Sequence, residues 1–156
     1  TPAIELLNQL GHPYALRTFD HPANESNYAQ AAAAALNIPA DQIFKTLLWR
    51  LNTAVQIVAI AAASEAINPK ALAKLAGAKK AELLEAKKAE STTGYLIGGI
   101  SPLAQKQRLP TFVSETVIRH SMIYVSAGRR GIEIGLEPNL LLELTEATLG
   151  AFTNPV

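Results

Sequence analysis

Two apolar runs joined by a short polar turn constrain the fold of this chain more than any other feature. Residues 43–49 and 55–61 flank Asn52-Thr53, and this arrangement predicts an antiparallel hairpin. Both faces of the first run are apolar, as in a strand that is buried on two sides. The remaining strand patterns are shorter and alternate with helix patterns. The sequence therefore predicts a mixed α/β (α+β) fold, in which helices surround a mostly antiparallel mixed sheet.

Capping residues, prolines and glycines mark the expected helix boundaries. Thr1-Pro2 predicts the start of a first helix and Gly11 predicts its end. Ser26 or Asn27 would cap an alanine-rich helix. Helices are predicted at 1–11, 27–36, 70–75, 85–92 and 139–147, and shorter strands at 14–20, 82–84, 111–113, 122–126 and 132–134. The length of 156 residues suits one domain spanning residues 1–156.

Lys45 is the one charged residue within the first apolar run. On a strand it shares its face with Ile43, Leu47 and Trp49. An ammonium group among apolar neighbours costs several kcal/mol to desolvate unless it meets a cavity, a carboxylate or a ligand. A lysine near the start of a strand can also extend its charged end into water. The pattern leaves a functional and a surface position equally open.

The segment 94–102 has a composition typical of a ligand-binding loop or a tight turn. It contains three of the nine glycines of the chain, one proline and no charge. Adjacent glycines lack Cβ atoms, so their main chain can approach a flat ligand closely. A strand that ends in a tight turn explains the same composition. The spacing matches neither a dinucleotide-binding loop nor a P-loop.

Charge and composition exclude several classes of protein. The net charge of +1 excludes strong non-specific capture of nucleic acid, so such a partner would need a local basic patch. The basic pairs at 79–80, 87–88 and 129–130, with Lys106 and Arg108, would form one if they converged near segment 94–102. The chain has no cysteine, no GxSxG motif and no histidines at metal-ligand spacing, so we expect no enzyme-borne nucleophile, metal or cofactor. Without a signal sequence or a membrane-spanning apolar stretch, a cytoplasmic protein with no membrane contact is expected.

Several motifs together resemble the YbaK family of aminoacyl-tRNA deacylases, which are relatives of the editing domain inserted in bacterial prolyl-tRNA synthetases. The similarity extends over nearly the whole chain. It is carried by the lysine in Phe44-Lys45-Thr46-Leu47, by segment 91–102, and by the matching stretches at 1–3, 27–28, 77–80 and 123–126. The lysine and the glycine-proline segment 98–102 are specific when they occur together.

The resemblance implies a strongly curved mixed sheet and hydrolysis of a mischarged tRNA, most typically Cys-tRNA(Pro), by a free-standing domain. Lys45 would be the functional lysine. The terminal adenosine would contact the main chain of Gly98, Gly99, Ile100, Ser101 and Pro102, and the substrate pocket would also include Tyr28, Thr46 and Ser126. The implied partners are the tRNA acceptor end and prolyl-tRNA synthetase. In the mechanism suggested for the family, the cysteine thiol of the substrate attacks its own ester carbonyl.

Two positions depart from the family pattern around this pocket. Phe19 stands where a tyrosine is expected, and Glu133 stands where an aspartate is expected. These differences leave the amino acid open, so a deacylase for alanine or another small residue is an alternative. A module that binds a nucleotide or a synthetase without turnover is a second alternative, although the position of Lys45 favours an enzyme.

Overall fold

The computed structural model describes residues 1–21 and 27–155, and this part of the chain folds into one large sheet, a small second sheet and surrounding helices. The strands are β1 (Ala15–Thr18), β2 (Ile43–Leu51), β3 (Gln56–Ala62), β4 (Glu65–Ile67), β5 (Ala81–Leu83), β6 (Thr111–Ser114), β7 (Ile123–Ser126), β8 (Ile132–Leu136), β9 (Thr148–Gly150) and β10 (Thr153–Pro155). The helices are α1 (Pro2–Leu10), α2 (Tyr28–Leu36), α3 (Pro69–Leu75), α4 (Ala86–Thr93) and α5 (Pro138–Thr145), with a 3-10 helix at Glu115–Arg119.

The predicted hairpin is confirmed and forms the centre of the large sheet. β2 and β3 pair antiparallel from Phe44–Ala62 to Arg50–Gln56. The strand order is β1-β8-β7-β2-β3-β6-β9, and β5 pairs with the far end of β2. Within the large sheet, the described strands form three parallel pairs, β2–β7, β3–β6 and β6–β9, and four antiparallel pairs; the β4–β10 pair of the small sheet is also antiparallel. The expected mixed, mostly antiparallel sheet is therefore confirmed.

The helix boundaries follow the capping residues closely. The Thr1 hydroxyl accepts a hydrogen bond from the Ile4 N–H at 3.2 Å, and Gly11 ends α1 with a φ of 71°. A left-handed φ at this position favours glycine because it has no Cβ atom. Asn68 caps α3 by accepting from the Ala71 N–H at 3.1 Å. The alternative cap Ser26 lies outside the described residues.

Three short strands were not predicted, and one of the two interpretations of segment 94–102 is wrong. β4, β9 and β10 have three residues each and form by pairing with strands far away in the chain. Strands this short have little local pattern, so their partners decide whether they form. Residues 94–110 contain neither helix nor strand, so the interpretation of a strand that ends in a turn is wrong.

The helices cover the two faces of the sheet unevenly. The largest cluster of buried side chains joins α1, α4 and α5 to one face of β2, through Phe44 and Leu48. On the other face, α2 covers Ile43 at the start of β2, and α3 covers Trp49 near its end. Lys45 lies between the part of this face that α2 covers and the part that α3 covers. This break in the helical cover leaves room for a cavity.

Candidate active site

An opening in the large sheet positions a cavity that several predicted site residues line. β2 pairs with β7 only at Ile43 and Phe44, and with β5 only from Trp49 to Leu51. Among the described strands, none pairs with the edge of β2 at residues 45–48 on that side. A cavity of about 410 Å³ opens there, a volume within the range of small-molecule sites, roughly 300–1,000 Å³.

Most of the predicted site residues line this cavity. They are Phe19, Tyr28, Lys45, Thr46, Gly98, Ile100, Ser126 and Glu133. Gly99, Ser101 and Pro102 do not line it. Gly99 lies against the main chain of Arg129 and Arg130, and the buried Ser101 hydroxyl accepts from the Leu103 N–H at 3.2 Å. The fold thus brings residues that are far apart in the chain, from Phe19 to Glu133, to one cavity. The role of each residue remains a prediction.

Three functional groups lie side by side across the floor of the cavity. Ser126 pairs directly with Glu133 on the neighbouring strand. β7 runs parallel to β2, and Val125 pairs with Phe44. The next residue on each strand, Ser126 on β7 and Lys45 on β2, therefore lies at the same level. Residues at the same level of neighbouring strands share a face of the sheet. An ammonium, a hydroxyl and a carboxyl group are consequently presented to the same space.

The sequence leaves open whether Lys45 faces a cavity or extends into water at the surface, and the structure decides between these positions. Its Nζ donates a hydrogen bond to the main-chain oxygen of Glu65 at 2.6 Å, so the ammonium group is held by the protein instead of extending into water. Burial lowers the pKa of Lys45 from its usual value, and the negative charge of Glu65 offsets part of this effect. Lys45 is therefore a half-buried cation that faces a cavity.

The side-chain hydroxyl of Thr46 lies in the cavity wall and is available for a hydrogen bond. Its hydroxyl is buried and has no hydrogen-bond partner among residues 1–21 and 27–155. Along β2, the main-chain N–H and C=O groups of successive residues point to opposite sides. Those of the odd-numbered residues point toward β3, as the bond from the Ala63 N–H to the Ile43 oxygen shows. Those of Thr46 therefore point toward the open edge. Buried polar groups in proteins are nearly always paired. An unpaired hydroxyl in a cavity wall is a suitable contact for a ligand.

Arg130 joins the glycine-rich loop to α2, whereas the sequence indicated it only as part of a possible basic patch and not as a pocket residue. Its Nε donates to the Ile97 oxygen at 3.0 Å and its Nη2 donates to the Tyr28 hydroxyl at 2.7 Å. The guanidinium carbon also lies 4.4 Å from the centre of the Tyr28 ring, within the range of a cation–π interaction. Gly98 fits directly against both side chains. The feature of the sequence that could have indicated Arg130 is its place in an arginine pair within a turn between two strands.

The basic residues converge only in part on this region. Arg129 and Arg130 border Gly99, and the Lys106 N–H donates to the Thr93 oxygen next to Gly94. Lys79 and Lys80 instead donate their main-chain N–H groups to the Asn52 side chain at the hairpin turn. Of these basic residues, Lys45 aside, only Arg130 lines the cavity among the described residues, so the predicted pairs do not together form a basic rim around it.

Glu133 is a buried carboxyl group, and we expect it to make stability depend on pH. Burial raises the pKa of Glu133 from its usual value of 4.5 to about 8. The folded protein then binds more protons than the unfolded chain between these values, so the free energy of unfolding falls as pH rises through this interval. Glu133→Gln keeps the shape without the charge. We expect its stability relative to wild type to increase between pH 5 and pH 8, by on the order of a few kcal/mol.

Chemical denaturation of both proteins at several pH values measures this effect. Glu137→Gln removes an exposed carboxylate close in sequence and should show no such trend. A stability difference between Glu133→Gln and wild type that stays constant from pH 5 to pH 8 would contradict a buried, protonated Glu133.

Two structural features bear on ligands and membranes. Within the described residues, no group of three or more histidine, aspartate or glutamate side chains could hold a metal ion. In the same part of the chain, no helix is both long and apolar enough to span a bilayer.

Comparison with known proteins decides the family. Residues 23–144 match the family model described as the aminoacyl-tRNA editing domain. The chain belongs to the aminoacyl-tRNA editing domain family. This editing domain is 36% identical over 154 residues to a protein of Enterococcus faecalis named "Putative Cys-tRNA(Pro)/Cys-tRNA(Cys) deacylase EbsC", covering 98% of this chain and 93% of that protein. The resemblance and the enzyme class predicted from the sequence, an aminoacyl-tRNA hydrolase, are confirmed.

Solved structures confirm the fold of the editing domain. The crystal structure of "hypothetical protein APE2540" superposes with a TM-score of 0.87 at 23% identity, covering 99% of this chain and 100% of that chain. The structure of "a putative trans-editing enzyme for prolyl tRNA synthetase" superposes with a TM-score of 0.82 at 19% identity, covering 98% and 97%. At these identities the likeness establishes the fold alone.

Proposed function

We propose that this editing domain is a trans-acting deacylase that hydrolyses mischarged tRNA, with Cys-tRNA(Pro) as its first candidate substrate. The observation that carries the proposal is the position of Lys45, a half-buried cation on the wall of a cavity of about 410 Å³. The name of the Enterococcus relative, which specifies Cys-tRNA(Pro) and Cys-tRNA(Cys), supports this choice of substrate. Prolyl-tRNA synthetase is the proposed protein partner, because the sequence resembles the editing domain inserted in that enzyme.

The cavity suggests how the substrate would be oriented. The aminoacyl ester would lie against Lys45 and Ser126, and the terminal adenosine would lie along the main chain at Gly98 and Ile100. The unpaired Thr46 hydroxyl would contact the aminoacyl group or the ribose. In this orientation the scissile ester would lie beside the Lys45 ammonium group, which is held by its hydrogen bond to Glu65.

The chemistry requires positioning and charge stabilisation rather than a protein nucleophile. An aminoacyl ester is already activated, and Lys45 would stabilise the negative charge that develops on its carbonyl oxygen. With a cysteinyl substrate, the thiol sulfur forms a bond to the carbonyl carbon and the ester C–O bond breaks. The ribose hydroxyl leaves with the thiol proton. Water then opens the cyclic thioester and releases cysteine.

The substrate-assisted mechanism predicts discrimination between sulfur and oxygen. Cysteinyl-tRNA(Pro) should be deacylated, and seryl-tRNA(Pro) should be spared, because a hydroxyl is a much weaker nucleophile than a thiol at neutral pH. A size difference this small is worth only about 1–3 kcal/mol in a pocket. The measurement is the deacylation rate of cysteinyl-, seryl- and alanyl-tRNA(Pro) under matched conditions.

The alanyl substrate separates the proposed mechanism from its alternative. Alanine has no side-chain nucleophile, so a comparable alanyl rate would contradict obligatory substrate assistance and indicate a water molecule positioned by Lys45. Phe19 and Glu133, which depart from the family pattern at the pocket, are the reason to test alanine. Tight tRNA binding without cleavage of any substrate would instead identify a binding module.

A further inference from the structure

The carboxylate of Glu65 has no part in the mechanism described above, but it is buried in a network of hydrogen bonds. The residue is 7% exposed. Oε1 accepts hydrogen bonds from the Ala62 N–H at 2.9 Å and the Thr116 hydroxyl at 3.0 Å. Oε2 accepts from the hydroxyls of Ser114 at 2.9 Å and Thr153 at 2.5 Å. A buried carboxylate is stable when its oxygens are satisfied in this way.

The donors to Glu65 come from separate parts of the chain. Ser114 ends β6, Thr116 belongs to the 3-10 helix, and Thr153 begins β10, which pairs with β4. Burial by itself would raise the pKa of Glu65, but these hydrogen bonds, with Thr153 contributing most, lower it below its usual value. The carboxylate therefore stays charged at neutral pH.

The same residue also holds Lys45. The main-chain oxygen of Glu65 accepts the hydrogen bond from Lys45 Nζ at 2.6 Å. We propose that Glu65 is a positioning residue for Lys45: its hydroxyl network fixes the residue, its carbonyl oxygen directs the ammonium group, and its carboxylate acts electrostatically on that group. This inference rests on the proposed function, because it concerns the same lysine and the same reaction.

Other titratable groups surround both partners. The cavity around Lys45 is also lined by Glu133 from β8, Tyr28 from α2, and His21 and Arg130 from loops. Beyond Glu65, a neighbouring groove is lined by Asp41, Glu115, Arg119 and His120. Burial keeps Glu133 largely protonated below pH 8, because its pKa is raised to about 8. Glu65 is the carboxylate whose charge acts on Lys45.

Glu65→Gln separates the charge from the hydrogen bonds. The amide oxygen can still accept from Ala62 and Thr116, and the amide nitrogen can donate to the hydroxyl oxygens of Ser114 and Thr153. Loss of the negative charge should lower the pKa of Lys45 further. The alkaline limb of the kcat–pH profile should therefore move to lower pH, and kcat should fall roughly 10-fold to 100-fold with little change in KM.

Two further variants make the test specific. Glu115→Gln removes an exposed carboxylate from the adjoining groove and should leave the profile unchanged. Thr153→Val removes one hydroxyl but keeps the Glu65 charge, so kcat should fall while the alkaline limb stays close to that of wild type. Thr153→Val also provides the test of positioning if Glu65→Gln fails to fold, and an unchanged kcat in a folded Thr153→Val protein would then overturn the proposal.

Titration of the Lys45 side chain by NMR provides a readout that does not depend on activity. The Lys45 midpoint should be lower in Glu65→Gln than in wild type and Glu115→Gln. If wild type deacylates tRNA and Glu65→Gln has the same rate and profile, the positioning role fails while the proposed function stands. If wild type deacylates none of the tested substrates, the proposed function fails, and an unchanged Lys45 midpoint would separately overturn the coupling to Glu65.

Discussion

Lys45→Ala should lose deacylation by roughly 10²–10³-fold or more in kcat, which is the effect of removing one group that stabilises developing negative charge. The fold should persist, because the variant loses a single hydrogen bond to the Glu65 oxygen and also removes a cation that is costly to bury. We expect the free energy of unfolding to change by only about 1 kcal/mol. Single-turnover deacylation of cysteinyl-tRNA(Pro), with thermal unfolding of the same samples, measures both quantities.

Controls separate the charge of Lys45 from the length of its side chain. Lys45→Met keeps most of the aliphatic stem without the ammonium group and should be as inactive as Lys45→Ala. Lys70→Ala removes an exposed lysine at the start of α3 and should retain activity. Wild-type turnover by Lys45→Ala would remove this residue from the mechanism, and a strong loss of stability would indicate a structural role instead.

Gly98→Ala should lose roughly 10²-fold in kcat/KM, as expected when a site is displaced by about 1 Å. The φ of Gly98 is 88°, in the left-handed region that favours glycine. A Cβ atom there would overlap Arg130 Nε and approach the Tyr28 ring to 2.8 Å. The side chain would therefore displace the two residues that hold the glycine-rich loop at the cavity, and Gly98→Val should have a larger effect.

Gly77→Ala is a matched control for backbone strain. Gly77 has a φ of 77°, and nothing lies within 4 Å of the Cβ atom that a substitution would add. Both alanine variants should therefore lose about 1–2 kcal/mol of stability from the left-handed backbone, but only Gly98→Ala should lose activity. Binding of an adenosine analogue provides a second readout. Equal activity in the two variants, or an analogue bound away from segment 98–102, would contradict the proposed adenosine contact.

The features that the sequence predicted correctly are those with local physical causes. The β2–β3 hairpin follows from two apolar runs around a polar turn, and the ends of α1 and α3 follow from Thr1, Gly11 and Asn68, which interact with main-chain groups only a few residues away. The sequence also singled out Lys45 as an unusual position, because one charge within an apolar strand needs a special environment. The adjacent motifs carried the family resemblance.

The tertiary structure alone decided which groups surround Lys45. The alignment of Lys45 with Ser126 and Glu133 depends on the register of β2, β7 and β8, and no local pattern specifies a register between distant strands. The hydrogen bond from Lys45 to Glu65 and the contact of Arg130 with Tyr28 likewise join residues far apart in the chain. The short strands β4, β9 and β10 form only when their partners are in place, because a three-residue strand gains too little by itself to offset the entropy of ordering its chain.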